Sequence, residues 1–173
     1  MRIELDNLEH GRGTFAHVYQ PEELPPVDDR VQLSGPATVS AKVRVAGAEV
    51  FLEGNIEAHV EVECDRCLKP VAVEVRPEFA LEYITEGDYE SAGVAELTED
   101  LMSVSVFDGQ SIDVDEVVKE QILLAVPTRT LCIEDCKGIC PGCGVDRNVV
   151  ECNCEESNID PRWAALKDLR DGK

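Results

Sequence analysis

Eight cysteines fall in four close pairs: Cys64-x2-Cys67, Cys132-x3-Cys136, Cys140-x2-Cys143 and Cys152-x-Cys154. This spacing narrows the fold more than any other feature, because a chain that holds metal this way has to gather its pairs into sets of four. Tetrahedral zinc takes four ligands, commonly delivered as two close pairs, so eight thiolates complete two sites with none left over. Disulfides fit poorly, since a bridge within Cys152–Cys154 or within Cys64–Cys67 closes a loop too tight for relaxed geometry. The stretch "MRIELDNLEHGRG" has no apolar run of signal-peptide length, and nothing approaches the roughly 18 apolar residues of a membrane span. The expected location is therefore cytoplasmic, where thiols stay reduced and clustered cysteines serve metal.

Two partitions of the pairs are open. Gly138, Pro141, Gly142 and Gly144 let the backbone turn tightly around Cys140 and Cys143, and "CNC" can return to complete that site. Cys64, Cys67, Cys132 and Cys136 then share the other metal and staple the C-terminal segment to the body of the chain. The rival partition closes Cys132, Cys136, Cys140 and Cys143 together and leaves Cys64 and Cys67 with Cys152 and Cys154. All-cysteine sites keep no open coordination position, which favours structure over catalysis. Cys136-x3-Cys140-x2-Cys143 also has the spacing of the cluster motif in radical S-adenosylmethionine enzymes, but those build a large α/β barrel after it. Only residues 144–173 follow here, so that reading is rejected. Iron is the alternative metal for four cysteines. The rival function is a redox-responsive regulator or dithiol oxidoreductase using Cys64 and Cys67. A thioredoxin-like pair needs a βαβ context, whereas this pair lies between two alternating strands.

Around the cysteines the hydrophobic period sets the fold class. Val39, Ala41, Val43 and Val45 alternate with polar residues, and after a turn near Ala46-Gly47 the pattern resumes at Val50 and Leu52. Ile56, Ala58, Val60 and Val62 extend it past Gly54-Asn55, where a bulge or break is expected. Val71, Val73, Val75, Phe79, Leu81 and Tyr83 alternate again. These are half-buried antiparallel strands. "RIEL" and "SVSVF" are further short strands, "QPEELPPVDD" reads as loop, and residues 85–100 read as an exposed acidic loop.

"SIDVDEVVKEQILLAVP" then switches to helical spacing. Asp113 caps a helix predicted over 113–126, Glu116 stands three residues on, and Pro127 closes it. Val114, Val117, Val118, Ile122 and Ala125 form its apolar face. The class is α+β: an antiparallel sheet or partly open barrel covered by a helix. Its core is drawn mainly from Val, Ile, Leu and Ala, since aromatics are only 5% of the chain.

The expected organisation is a β domain over 1–127 and a cysteine-rich segment over 128–173 packed on it. That segment has few large apolar residues, too few to offset roughly 1–2 kcal/mol of backbone entropy per ordered residue. Structural zinc, worth roughly 10–16 kcal/mol in small peptides, can hold it instead. Asp160 as cap and Pro161 at the first position predict a short terminal helix carrying Trp163 and Leu166 on one face.

Charge bounds the partners. Sixteen basic against 36 acidic residues give a net charge of −20, which repels a phosphate backbone overall and favours basic proteins. Only a local basic patch could touch RNA. Arg66, Lys69, Arg129, Lys137 and Arg147 flank the cysteines and are the candidate contacts, with compensation of thiolate charge as their competing role. His10, His17 and His59 lie near no nucleophile in sequence, His59 falls on the solvent side of its strand, and no phosphate loop or nucleotide motif occurs. No enzyme and no small-molecule substrate are expected.

The linked motifs "VECDRCLKP", "IDVDEVVKEQILLAVP", "CKGICPGCG" with "CNC", and "DPRWAALKDL" resemble the YceD family, the large ribosomal RNA subunit accumulation proteins, over about residues 50–170. The resemblance implies a bacterial-type cytoplasmic factor needed for 23S ribosomal RNA to accumulate, with no enzymatic activity attached. It supplies no molecular mechanism; taken with the acidic charge, the expected partner is a basic ribosomal protein or a large-subunit assembly intermediate met through an acidic face, with direct RNA binding the lesser variant. About two zinc ions per chain are expected to hold the docking surface in shape.

Overall fold

A computed structural model of the chain describes residues 1–24, 26–91, 104–154 and 162. The chain divides into two compact units. One takes Met1–Glu63 and Pro70–Thr130; the other takes Cys64–Lys69 and the described residues from Leu131 onward.

The first unit is built on strands β1 (Arg2–Glu4), β2 (Arg12–Tyr19), β3 (Val31–Ala46), β4 (Glu49–Glu63), β5 (Pro70–Val75), β6 (Glu78–Thr85), β7 (Val104–Phe107) and β8 (Ser111–Asp113). The main sheet runs β2-β3-β4-β6-β7 and is open, with β5 paired to the second half of β4; β1 and β8 form a separate pair. Two α-helices occur among the described residues, α1 (Glu86–Ser91) and α2 (Val114–Ala125).

Strict alternation makes the long hairpin of β3 and β4. Its register pairs Val39 with Ile56, Ala41 with Gly54 and Val43 with Leu52, so the apolar sets of both strands share one face and are buried. Val114, Val117, Val118 and Ile122 of α2 join the same core, and Asp113 accepts a 3.0 Å hydrogen bond from Asp115 N as the helix cap. Gln121 is buried beside them. Tyr19 OH donates to Asp115 Oδ1 at 2.7 Å; burial first, and then that carboxylate, push the phenol up. The α+β class follows, with the helix face and the sheet closing one apolar core.

Several local expectations are corrected. No bulge interrupts β4 at Gly54-Asn55: pairing with β3 runs without a shift from Ala58 to Glu49. What changes there is the other neighbour, since Val50–Asn55 pair with β6 and Ala58–Glu63 with β5. Gly54 is needed for close approach, because a Cβ would lie 2.5 Å from Ser40 O and 2.6 Å from Ala41 Cβ. The register shift is in β3, between Leu33 and Ala37, where Pro36 has no N–H to give a ladder. β2 was not foreseen; its inward positions are Gly13, Phe15, His17 and Tyr19 while Ala16 and Val18 face out, which blurs the alternation. β7 pairs parallel to β6. The start of the expected acidic loop is helix α1, where Asp88 N donates to Thr85 Oγ1 at 3.3 Å as that hydroxyl donates to the Asp88 carboxylate. The remainder of that loop, and the terminal helix with Trp163 and Leu166, lie outside the described residues.

Candidate metal centres

Two short loops of the cysteine-rich unit share one backbone pattern. In the first, Cys64 N donates to Lys69 O at 2.8 Å and Leu68 N to Cys64 O at 2.9 Å. In the second, Cys140 N donates to Val145 O at 2.8 Å and Gly144 N to Cys140 O at 2.8 Å. Both loops put their fifth residue in the left-handed region: Gly144 at φ 76° and, without a glycine's freedom, Leu68 at φ 60°. The turn aims N–H groups at the first sulfur of each loop.

The cysteines gather as Cys64, Cys67, Cys132 and Cys136, and as Cys140, Cys143, Cys152 and Cys154, the sulfurs of each set all within 4.8 Å of one another. This is the first of the two partitions read from the spacing. Cys64 Sγ is 3.8 Å from Cys136 Sγ, and Cys67 Sγ is 3.5 Å from Cys132 Sγ. Sulfurs placed tetrahedrally about 2.3 Å from zinc stand about 3.8 Å apart, so the first set already has the spacing the ion requires. Each set could hold a metal ion. The first is enclosed, with Cys64 and Cys136 fully buried; in the second, Cys143 and Cys154 are exposed.

Burial pushes the Cys64 thiol up, but the N–H groups of Arg66, Cys67 and Cys132 outweigh it and hold the thiol at about 6. The Cys132 amide nitrogen lies 3.4 Å from that sulfur. Cys140 is likewise held at about 6, first by the N–H groups of Cys143 and Gly142. Neighbouring sulfurs act the other way: Cys67 pushes Cys132 up to about 12, and Cys143 and Cys140 push Cys154 up to about 12. In each set one thiol is thus held low and another pushed up, and a metal would have to displace the protons that remain.

A second layer of polar groups orients the enclosed set. Asn148 Nδ2 donates to Cys136 Sγ at 3.3 Å, while Asn148 Oδ1 accepts from Lys137 N at 2.8 Å. Asp146 Oδ1 accepts from Asn148 N at 2.8 Å and from Asn148 Nδ2 at 2.7 Å. Lys69 Nζ lies 2.6 Å from the other Asp146 oxygen, and this ion pair and the Asn148 amide hold the Asp146 carboxyl low. Arg66 Nη1 donates to Cys136 O at 2.6 Å, and its own carbonyl accepts from Ile139 N at 3.0 Å. Gly138, at φ 71°, allows that approach, since a Cβ would lie 2.8 Å from Arg66 O.

Of the expected contact residues, Arg66 and Lys69 are thus engaged inside the cysteine-rich unit. Lys137 and Arg147 belong to the same unit with exposed side chains, and Arg129 is exposed in the first unit. His59 is exposed, and His17 packs edge-on against Tyr19. Asp146 and Asn148 were not foreseen; the Asp-x-Asn spacing of a side-chain turn was the available signal.

An open α+β sheet with two four-cysteine centres defines a small β-rich protein able to hold metal. Within that class the chain belongs to the YceD family: the model described as "Large ribosomal RNA subunit accumulation protein YceD" matches residues 52–170. An uncharacterized protein of Mycobacterium tuberculosis is 32% identical over 128 residues, 74% of this chain and 59% of the relative. YlbN of Bacillus subtilis is 25% identical over 156 residues, 90% of this chain and 86% of the relative. The Arabidopsis thaliana protein named "Large ribosomal RNA subunit accumulation protein YCED homolog 1, chloroplastic" is 23% identical over 159 residues, 79% of this chain and 49% of the relative. The chain spans about three fifths of the length of the mycobacterial relatives, at 59%. No solved structure matches it. Among the described residues no helix is long and apolar enough to cross a membrane.

Proposed function

We propose that the chain is a non-enzymatic, zinc-stabilised factor that supports 23S ribosomal RNA accumulation and assembly of the large ribosomal subunit in the cytoplasm. It acts by binding a basic ribosomal protein or an assembly intermediate that contains one. Membership of a family described by large-subunit RNA accumulation carries the reading. The outward side chains Glu53, Glu57 and Glu61 of β4, with Glu74 of β5 and Glu78 of β6, support a basic partner, because opposite charge steers encounter. Two sets of four thiols with no water or substrate position support structural zinc. The gathering of Cys64 and Cys67 with two further cysteines favours metal over a free dithiol.

Sedimentation of cell extract on a gradient, with and without nuclease, tests the partner. Co-sedimentation with large-subunit precursors is expected, with a ribosomal protein retained after nuclease; a chain found only in the light fractions rejects the reading. Elemental analysis of the purified chain tests the cofactor, with about two zinc per chain expected.

A further inference from the structure

The outer face of the sheet divides by charge. β4, β5 and β6 present glutamates, whereas β2 and β3 present Arg12, Lys42 and Arg44, all exposed. The antiparallel register sets Arg12 directly opposite Arg44, and Thr14 opposite Lys42. Like charges directly opposite on one face destabilise a sheet. A chain with 36 acidic residues had ample means to place a carboxylate there. A local choice that works against folding marks a functional site. Among the described residues, none of the three makes an ion pair with a carboxylate, although the register sets Lys42 directly opposite Glu53 of β4.

Arg44 instead lies over the ring of Phe51, its guanidinium carbon 4.1 Å from the ring centroid, and Phe51 is the next residue across on β4. These side chains line a groove of about 1140 Å³, whose acidic members are Glu9 and Glu53. A flat ring capped by guanidinium, beside two further cations, offers a stacking plane and phosphate partners together.

We propose that this groove binds a single-stranded segment of RNA, with Arg12 and Lys42 on its phosphates and the Phe51–Arg44 pair stacking on a base. The choice of RNA among polyanions rests on the ribosomal reading above and on the ring, since every nucleotide of a single strand carries both a phosphate and an aromatic base. Screening over about 8 Å at physiological salt shields the strand from the rest of the acidic surface. The glutamate half of the same face confines the contact to a short stretch. A ribonucleoprotein, with RNA at β2 and β3 and a basic protein at β4 to β6, matches the two halves.

The test is fluorescence anisotropy of a labelled short single-stranded RNA with the full metal-loaded chain, from roughly 50 to 200 mM salt. Arg12→Gln and Lys42→Gln each weaken binding several-fold and lower the slope of log K against log salt by about 0.7. Phe51→Leu weakens it about ten-fold and leaves the slope unchanged. Removing Arg12 from the like-charged pair does not lower the melting temperature, so lost affinity reads the groove and not unfolding. No RNA binding by the unaltered chain, unchanged affinity in all three variants, or displacement of RNA by polyglutamate at equal charge overturns the proposal. Synthetic RNA and purified chain suffice, so such a failure leaves co-sedimentation with large-subunit precursors to be judged separately.

Discussion

Asn148 bonds three parts of the cysteine-rich unit through one amide: the Cys136 sulfur, the Lys137 backbone and the Asp146 carboxylate. Groups that orient a ligand typically alter metal affinity by roughly 10–100-fold when removed. Asn148→Ala should weaken one of the two metals by that factor and leave the other unchanged, as read by competition with a chromogenic chelator. Leu68 makes the opposite case. It holds φ 60° with its side chain 52% exposed, so the left-handed backbone costs about 1 kcal/mol for little burial in return. Leu68→Gly should slow metal release from the first set; unchanged or faster release would show that the side chain has a use this backbone does not reveal. The ligands were legible in the sequence because thiol spacing is a local code. Asn148 was not, since an amide signals a role only once its partners at residues 136 and 137 are in place.

At the scale of elements, period-two alternation marked β3 from Val39 onward, β4, and β5 with β6 as one run, because one face of each is buried, and helical spacing identified α2 within a residue of its ends. Where the inward positions hold glycine and histidine, as in β2, the code falls silent and pairing with β3 decides. Parallel pairing of β7 is equally invisible locally, because it depends on the path of the connection and not on the strand. Gly54 shows how the same residue type can carry opposite meanings. A glycine within an alternating run suggests a bulge, yet here it marks the point where β3 and Phe79 crowd β4. Gly54→Ala should therefore destabilise the first unit by about 3 kcal/mol or more, seen as a lower urea midpoint with an unchanged denaturant slope.

Across the whole molecule the two units are held by different forces. The first has an apolar core of Val, Ile, Leu and Ala contributed by sheet and helix. In the second, the buried apolar residues among those described are Cys64, Cys67, Cys136 and Cys140 alone. Four thiols burying their sulfurs against one another offset little of the ordering of the chain around them, and on the reading proposed above metal supplies the difference. Removing it should unfold one unit and spare the other. On chelation the far-ultraviolet signature of the sheet and its cooperative melting should persist, while limited proteolysis opens new sites after Leu131. The order of loss is set by exposure. Cys143 and Cys154 face solvent, so the set they belong to should yield its metal first, and the enclosed set of Cys64 and Cys136 last. Proton counts give a second reading of the same event. Cys64 and Cys140 are held at about 6, so they are already anionic at neutral pH. In the opened unit the backbone N–H groups no longer hold the two thiols down, so rebinding should release close to the four protons per metal that unperturbed thiols give, as measured by calorimetry in buffers of different ionisation enthalpy. Acid works in the same sense: protons compete for the thiolates, and metal affinity falls as pH drops toward 6. A second unit that keeps its protease resistance after both metals are gone would show that some force other than metal orders it.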